Sequence, residues 1–330
     1  MDRVDVAVIG LGVMGRQHLR VLQENYCFRV VAASDPNQEA ATRVARQYPE
    51  VRIVSDVTSL LDVGIGAAIV ASPSALHAEQ AIFLVENGIH VLLEKPVTAT
   101  VAQAFRLLDV ARRSSTQLLV GQIERFNPAV QELRSLIARG DIGKVMSLSA
   151  SRVGVARPAV PTSNVIFDLA IHDIDIMRFL LGTRVLFVGA TGGSRPGNLL
   201  EDYANVLLKC GDATGAIEAN WITPRKRRKL FVTGTEGFAE LDYIRQELQI
   251  FQGESEIVGD GSDLYHCVSR TADPVAVVVQ QGEPLEAELR HFGACIRGED
   301  VPAILLEEAI DALICCDEAT QYIREEHSDN

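Results

Sequence analysis

No stretch of this 330-residue sequence approaches the ~18 consecutive apolar residues that cross a bilayer, which excludes a membrane-spanning helix. Its opening residues, MDRVDVAVIG, carry Asp2, Arg3 and Asp5 and turn strand-like at once, without the charged and apolar regions of a signal peptide. The expected location is the cytoplasm. Six cysteines, at 27, 210, 267, 295, 315 and 316, form no C-x-x-C pair and no Cys/His cluster of zinc spacing, so no metal is expected and the thiols read as reduced and buried. Positive charge is scarce: 31 Lys and Arg face 44 Asp and Glu, a net charge of -13. A polyanion such as nucleic acid is therefore an unexpected partner, because phosphate binding gains affinity from a basic face. Internal repeats and low-complexity segments are absent as well. What remains, 47 % apolar and 23 % charged residues, is the composition of an ordinary folded protein of about two domains.

Over residues 1–122, short β-branched runs alternate with amphipathic stretches of helical length. Strands are expected at 4–10, 29–35, 52–55, 67–72, 90–95 and 117–122, with helices at 13–25, 37–47, 74–87 and 98–113, the last opened by Thr98 as N-cap. Several of these strands are apolar throughout, as strands covered on both faces are. This is an α/β unit around a parallel sheet. From 123 to 330 the pattern changes to alternating strands with hairpin breaks, at 144–153, 185–191, 204–210, 214–222, 229–234 and 238–243. Helices near 127–139, 164–181, 284–297 and 303–325 accompany them, giving an α+β unit with an open, mostly antiparallel sheet. Gly211-Asp212 and Glu236-Gly237 stand at two turns, and 253–262 reads as a loop.

Gly10-Leu11-Gly12-Val13-Met14-Gly15 follows the first strand and opens the first helix. Gly10 allows a tight turn, Gly12 lets amides approach a pyrophosphate at the helix N-terminus, and Gly15 lets helix and strand pack closely. Asp35 ends the second strand, where a carboxylate accepts hydrogen bonds from an adenosine ribose and repels a 2′-phosphate. The cofactor so indicated is NAD rather than NADP. Ser72 and Glu94-Lys95-Pro96 end the fourth and fifth strands, on the carboxyl edge where such sheets bind ligands, with His77 close by in the next helix. Lys95 ends a buried apolar strand and precedes a proline whose peptide bond is a candidate for the cis form.

Asp168 and His172 lie four apart and share one helical face. Alcohol oxidation needs a base for the hydroxyl proton as hydride leaves the same carbon, and an imidazole, titrating near ~6.5, suits that task. Asp168 can orient the ring or hold a substrate hydroxyl, while Lys95 lowers the energy of the developing alkoxide.

The glycine fingerprint, Glu94-Lys95-Pro96 and Asp168-x3-His172-Asp173 together resemble the Gfo/Idh/MocA oxidoreductase family over essentially the whole chain. The resemblance implies a Rossmann domain followed by a domain whose open sheet forms an oligomer interface, here a homodimer or homotetramer. It also implies NAD(P)-dependent chemistry at a ring hydroxyl, with Lys95, Asp168 and His172 as the catalytic trio. A narrower resemblance rests on Gln122-Ile-Glu124-Arg125-Phe126-Asn127-Pro128, the segment from Phe167 to Arg178, and Asn220-Trp221-Ile222-Thr223-Pro224. These are similar to the UDP-N-acetylglucosamine 3-dehydrogenase branch, although Gln122 stands where many members carry His. Arg125 and Asn127 are then candidates to touch substrate, along with Lys95, Asp168 and His172. A sugar nucleotide needs cations for its diphosphate, and the basic run Arg225-Lys226-Arg227-Arg228-Lys229, with Arg152, Arg157 and Arg195, offers them. The run also reads as a solvated strand entry, and Trp221 as core or as a sugar-stacking platform. An inositol or free-sugar dehydrogenase of the same family is the alternative. A non-catalytic dinucleotide-binding regulator, a third possibility, would need the glycine loop but no base.

Overall fold

Six strands, several of them apolar on both faces, build the first sheet. They are β1 (Val4–Ile9), β2 (Phe28–Ser34), β3 (Arg52–Val54), β4 (Ala67–Val70), β5 (His90–Glu94) and β6 (Leu118–Gly121), all parallel, in the order β3-β2-β1-β4-β5-β6. The computed structural model describes residues 3–155, 163–259, 265–271 and 274–328. Helices α1 (Val13–Glu24), α2 (Gln38–Gln47), α3 (Ser74–Glu86) and α4 (Val101–Ala111) connect the strands, and the strand order reverses between β1 and β4. A crevice opens at the carboxyl edge of such a switch point. Helix α4 starts three residues later than the sequence suggests. Its N-cap is Thr100, whose side chain and that of Gln103 form a reciprocal capping box, whereas Thr98 is buried and hands its hydroxyl to the Thr100 carbonyl.

The second unit starts with α5 (Pro128–Arg139) and β7 (Val145–Val153). A one-turn π-helix (Ile166–Ala170) then leads into α6 (Ile171–Leu181). Strands β8 (Val185–Gly193), β9 (Tyr203–Cys210), β10 (Ala213–Asn220), β11 (Arg227–Gly234), β12 (Phe238–Asp242) and β13 (Glu247–Phe251) follow. Next come β14 (Gly253–Gly259), β15 (Tyr265–Thr271) and β16 (Val275–Val277). The main sheet runs β16-β13-β12-β11-β7-β10-β9-β8, and β7 with β10 is its one parallel neighbour pair. Buried and exposed residues alternate along β9, as in a sheet with one face on the core. The expected loop at 253–262 is corrected in its first part. Residues 253–259 form β14, whose ladder with β15 supplies the backbone hydrogen bonds that a Gly- and Ser-rich composition does not advertise; residues 260–262, like Arg157, lie outside the described residues.

By contacts the chain divides into Met1–Phe126 with Glu283–Asp317, and Asn127–Gly282 with Glu318–Asn330. Helix α7 (Pro284–Ile296) thus belongs to the first unit, a return that the sequence boundary at 122/123 does not signal. Its apolar stripe of Leu285, Leu289 and Phe292 joins the core around Leu19 and Phe28, with the Phe28 and Phe292 rings stacked 5.6 Å apart. The last helix, α8 (Leu306–Ser328), contributes residues to both units. Among the described residues no helix is long and apolar enough to cross a membrane. Cys27, Cys210, Cys295, Cys315 and Cys316 are buried free thiols. Phe292→Ala is expected to cost the first unit about 3–5 kcal/mol, read as a lower urea midpoint; an unchanged midpoint would show that α7 contributes little to that core.

Candidate functional site

The glycine loop is shaped by what it cannot accommodate. Gly10 has φ +86°, and a Cβ there would lie 2.6 Å from the Ala71 carbonyl carbon, while one at Gly15 would collide with the Gly10 carbonyl oxygen. At Gly12, by contrast, a Cβ would meet nothing within 4 Å: it would protrude into open space. Val13 and Met14 open α1, and no side chain caps the helix at Gly12, leaving its N-terminus suited to an anion. A cavity of about 840 Å³ lies here, lined by Gly10, Gly12, Asp35, Asn37, Ser72 and Pro73 among others. The Asp35 carboxylate accepts the Leu11 N–H at 2.6 Å and the Asn37 N–H at 2.8 Å, tying the end of β2 to the glycine loop. These features fit a dinucleotide: open space at Gly12, an uncapped helix end for the pyrophosphate and a carboxylate at the ribose position.

Ser72 lines the same cavity and donates its hydroxyl to Gln80 Oε1 at 2.6 Å. Two neighbouring residues expected to touch cofactor are engaged elsewhere. His77 is 1 % exposed, with Nδ1 2.9 Å from the Pro96 carbonyl and Nε2 2.8 Å from the Ser72 carbonyl. It is a clamp between two edge loops, and burial lowers its pKa below the ordinary histidine value although both carbonyls pull the other way. Glu94 is buried as well: Oε1 lies 2.7 Å from His18 Nε2, and Oε2 accepts the Lys95 N–H at 3.3 Å. It supports the turn from below. Lys95 itself, half-buried, follows β5, and the Lys95–Pro96 peptide is cis.

In the second unit, Asp168 lies in the π-helical turn and His172 in the first turn of α6. Single π turns inside helices recur at functional sites because they re-aim side chains. Asp168 Oδ2 accepts the indole N–H of Trp221 at 3.1 Å. Trp221 is 6 % exposed, which makes it a core residue holding the carboxylate rather than a sugar platform. Asp173, next to His172, forms a buried pair with Arg152 at 2.7 Å, and the Arg152 guanidinium lies 4.7 Å above the Tyr243 ring. The sequence signals neither the Trp221 bond nor the Arg152 pair; only the side chains' hydrogen-bonding capacity hints at them.

The other polar candidates also have protein partners. Arg125 is buried, donating to the Ala303 carbonyl at 3.0 Å and to Glu308 at 2.7 Å within the first unit. Asn127 is buried, its Oδ1 accepting the Ala129 N–H to cap α5 while its Nδ2 donates to the Tyr243 carbonyl. Arg152 is held by Asp173, and Arg195 by Asp202 at 2.7 Å. Each is held by partners within its own unit.

The strand order, glycine cradle and acidic end of β2 define a dinucleotide-binding α/β protein. Residues 4–122 match the oxidoreductase family with an NAD-binding Rossmann fold, and residues 130–240 match the Gfo/Idh/MocA C-terminal domain. The chain belongs to the Gfo/Idh/MocA oxidoreductase family. It is 28 % identical over 319 residues to scyllo-inositol 2-dehydrogenase (NAD(+)) of Bacillus subtilis, covering 92 % of this chain and 89 % of that one. It is 27 % identical over 252 residues to UDP-N-acetylglucosamine 3-dehydrogenase of Acidithiobacillus ferrooxidans, covering 76 % and 78 %. The solved structure of the Acidithiobacillus enzyme superposes with a TM-score of 0.84 at 23 % identity, over 98 % of this chain and 99 % of that one, and shares its fold. KijD10, a 3-ketoreductase from Actinomadura kijaniata solved with NADP, superposes with a TM-score of 0.81 at 20 % identity, over 97 % and 98 %.

Gly12→Val should leave the melting temperature nearly unchanged, since a Cβ there meets nothing within 4 Å, yet weaken NAD binding at least about tenfold in a fluorescence titration. Full-strength NAD binding would remove the loop from the cofactor site. Asp35→Ala is expected to weaken NAD and narrow its advantage over NADP; an unaltered ratio of the two affinities would rule out a ribose contact.

Proposed function

We propose that the protein is an NAD-dependent dehydrogenase of a sugar nucleotide, removing hydride from a ring carbon, C3 of UDP-N-acetylglucosamine or a close relative. The observation carrying the nucleotide part is a cationic concavity of about 470 Å³ in the second unit, lined by Arg225, Lys226, Arg227, Arg228, Lys229 and Arg245, with Asp242 the one carboxylate among its lining residues. Arg227 is paired with Glu218 at 2.8 Å, Lys229 with Glu240 and Arg245 with Glu247 at 3.8 Å; the six cations of the lining still outnumber Asp242 and these three carboxylates, in a chain of net charge -13. The segment is preorganised. Asn220 Oδ1 accepts the Ile222 and Thr223 amides, turning the chain out of β10, and Gly154, at φ +152°, lets Lys226 approach: a Cβ there would lie 3.0 Å from its Cα. Fixed cations of this kind recognise a diphosphate. Likeness to the Acidithiobacillus dehydrogenase supports the same substrate, whereas likeness to the Bacillus inositol enzyme favours the second reading, a polyol or free sugar.

Bound NAD supplies the hydride acceptor. In the roles the family resemblance implies, His172 takes the hydroxyl proton, Lys95 stabilises the developing alkoxide, and Asp168, held by Trp221, orients the imidazole or the substrate hydroxyl. Asp35 disfavours a 2′-phosphate and so selects NAD. The proposed assembly is a homo-oligomer, dimer or tetramer, that covers exposed apolar side chains of the open sheet such as Leu186, Val188 and Leu207.

The test is incubation with UDP-N-acetylglucosamine and NAD, following nicotinamide absorbance and the mass of the sugar. A product lighter by two hydrogens is expected. No product, even with a 2-oxo acid to recycle cofactor carried through purification, would discard the sugar nucleotide in favour of inositols and free sugars. Lys95→Ala and His172→Ala should each lower turnover by about 10² to 10⁴ with NAD affinity retained; unchanged turnover in both would sink the mechanism. Charge reversal at Arg225 and Arg228 should weaken UDP binding at least about tenfold, and undiminished UDP binding would move the diphosphate elsewhere.

A further inference from the structure

Beneath the Glu94-Lys95-Pro96 turn lies a group of buried polar side chains that the chemistry above does not use. Glu288, on α7, is 1 % exposed, and neither of its carboxyl oxygens has a hydrogen-bond partner among the described residues. Helix α7 packs against α1, whose His18 reaches Glu94, and the Glu94 charge acts on Glu288. Glu94 is well provided for: His18 and the Lys95 N–H each take one oxygen, and the carboxylate packs against Gly121 of β6, where a Cβ would meet its Cδ and Oε2 at 3.4 Å. Two neighbouring carboxylates cannot both stay ionised out of water, and the one without donors holds the proton. That one is Glu288.

The hydrogen-bond inventory agrees. His18 is fully buried and its Nδ1 has no partner among the described residues, so the tautomer with its proton on Nε2, aimed at Glu94, leaves no buried N–H unpaired. Gln122, next to Gly121, is buried with an unpartnered Oε1. The neighbourhood of Glu94 therefore holds two buried acceptors without donors, His18 Nδ1 and Gln122 Oε1. The other charged groups on elements packed against α7 are Arg16, Arg20 and Glu24 of α1 and Glu124 and Arg125 of the 123–126 turn: Arg16 donates to the Leu11 carbonyl, Arg20 pairs with Glu283 at the surface, and Arg125 is held by Glu308.

We infer that Glu288 is a positioning residue for Lys95, acting through Glu94. Un-ionised, it leaves the Glu94 carboxylate as the single negative charge of this buried group, free to grip His18 with one oxygen and the Lys95 backbone with the other. Its functional part rests on the reading of Lys95 as the group that meets the alkoxide. Burial, with the Glu94 charge adding to it, raises the Glu288 pKa well above the ordinary 4.5. A folded-state pKa above the unfolded one gives stability that is fully present below pH 4.5 and is lost as pH rises toward the folded value.

The experiment compares the full-length wild type with Glu288→Gln and Glu288→Ala, by urea unfolding at several pH values and by steady-state kinetics. Glu288→Gln, neutral throughout, should be more stable than wild type, the ratio of their unfolding constants widening between about pH 5 and 8 by up to about tenfold per pH unit. A ratio that stays flat over that range would overturn the un-ionised state. Glu288→Ala should lower kcat about tenfold or more with KM for NAD within about twofold, and Glu288→Gln should recover most of it. Equal kcat in wild type and the Ala variant would overturn the positioning role, as would an equal loss in the Gln variant. If the wild type turns over inositol but no sugar nucleotide, the substrate reading fails while both arms still decide the role of Glu288.

Discussion

Two places where the backbone leaves no space for a side chain govern the first unit. At Gly10 the chain turns against the Ala71-Ser72 backbone, and at Gly15 the first turn of α1 presses on the Gly10 carbonyl. A methyl group at either position would push the helix away from the sheet edge. Because neither exists, β1 passes to α1 with a minimal loop, and the uncapped helix end faces the crevice at the switch point. The Asp35 carboxylate then fastens that loop to β2 through the Leu11 amide. This steric constraint thus positions the uncapped helix end, the carboxylate at the end of β2 and the neighbouring edge loops together.

In the second unit polar pairs set the position of the helix that carries His172. Helix α6 is buried over most of its circumference, Asp173 and Asp175 included. Arg152 and Asp173, each 1 % exposed, lock its first turn to β7, and removing one partner of such a pair costs about 3–5 kcal/mol because the other charge is stranded. The π turn just before it widens the spiral where Asp168 meets the Trp221 indole. The helix start is thus held at fixed polar points in addition to its buried apolar residues, which fixes the orientation of His172.

The sequence was most legible where local signals suffice. Strands buried on both faces announce themselves as apolar runs, so β1 to β6 fall within a residue or two of expectation, and the glycine loop carries its own steric logic. Legibility fell where a residue's role depends on a distant partner. Arg125 and Asn127 look like ligand contacts in the chain, yet their partners, Glu308 and Tyr243, lie 183 and 116 residues away. His77, Glu94, Arg152 and Trp221 are of the same kind: their chemistry is visible in the sequence but the atoms that satisfy it are not. The short strands β13 to β16 and the π turn escaped for a related reason, since ladders and crowding from elsewhere in the unit impose them over weak local preference.

The His77 clamp has a dynamic consequence. Its ring joins the Ser72 carbonyl at the end of β4 to the Pro96 carbonyl beyond β5, two loops that are otherwise separate stretches of the carboxyl edge. A loop on a sheet edge ordinarily fluctuates on its own, with a low local opening free energy. The buried ring, whose neutral form donates one N–H, is wedged between the two carbonyls, so displacement of either loop disturbs its packing against the other. The wall of the crevice and the lysine turn are therefore coupled through one side chain, so local opening of one stretch is expected to loosen the other.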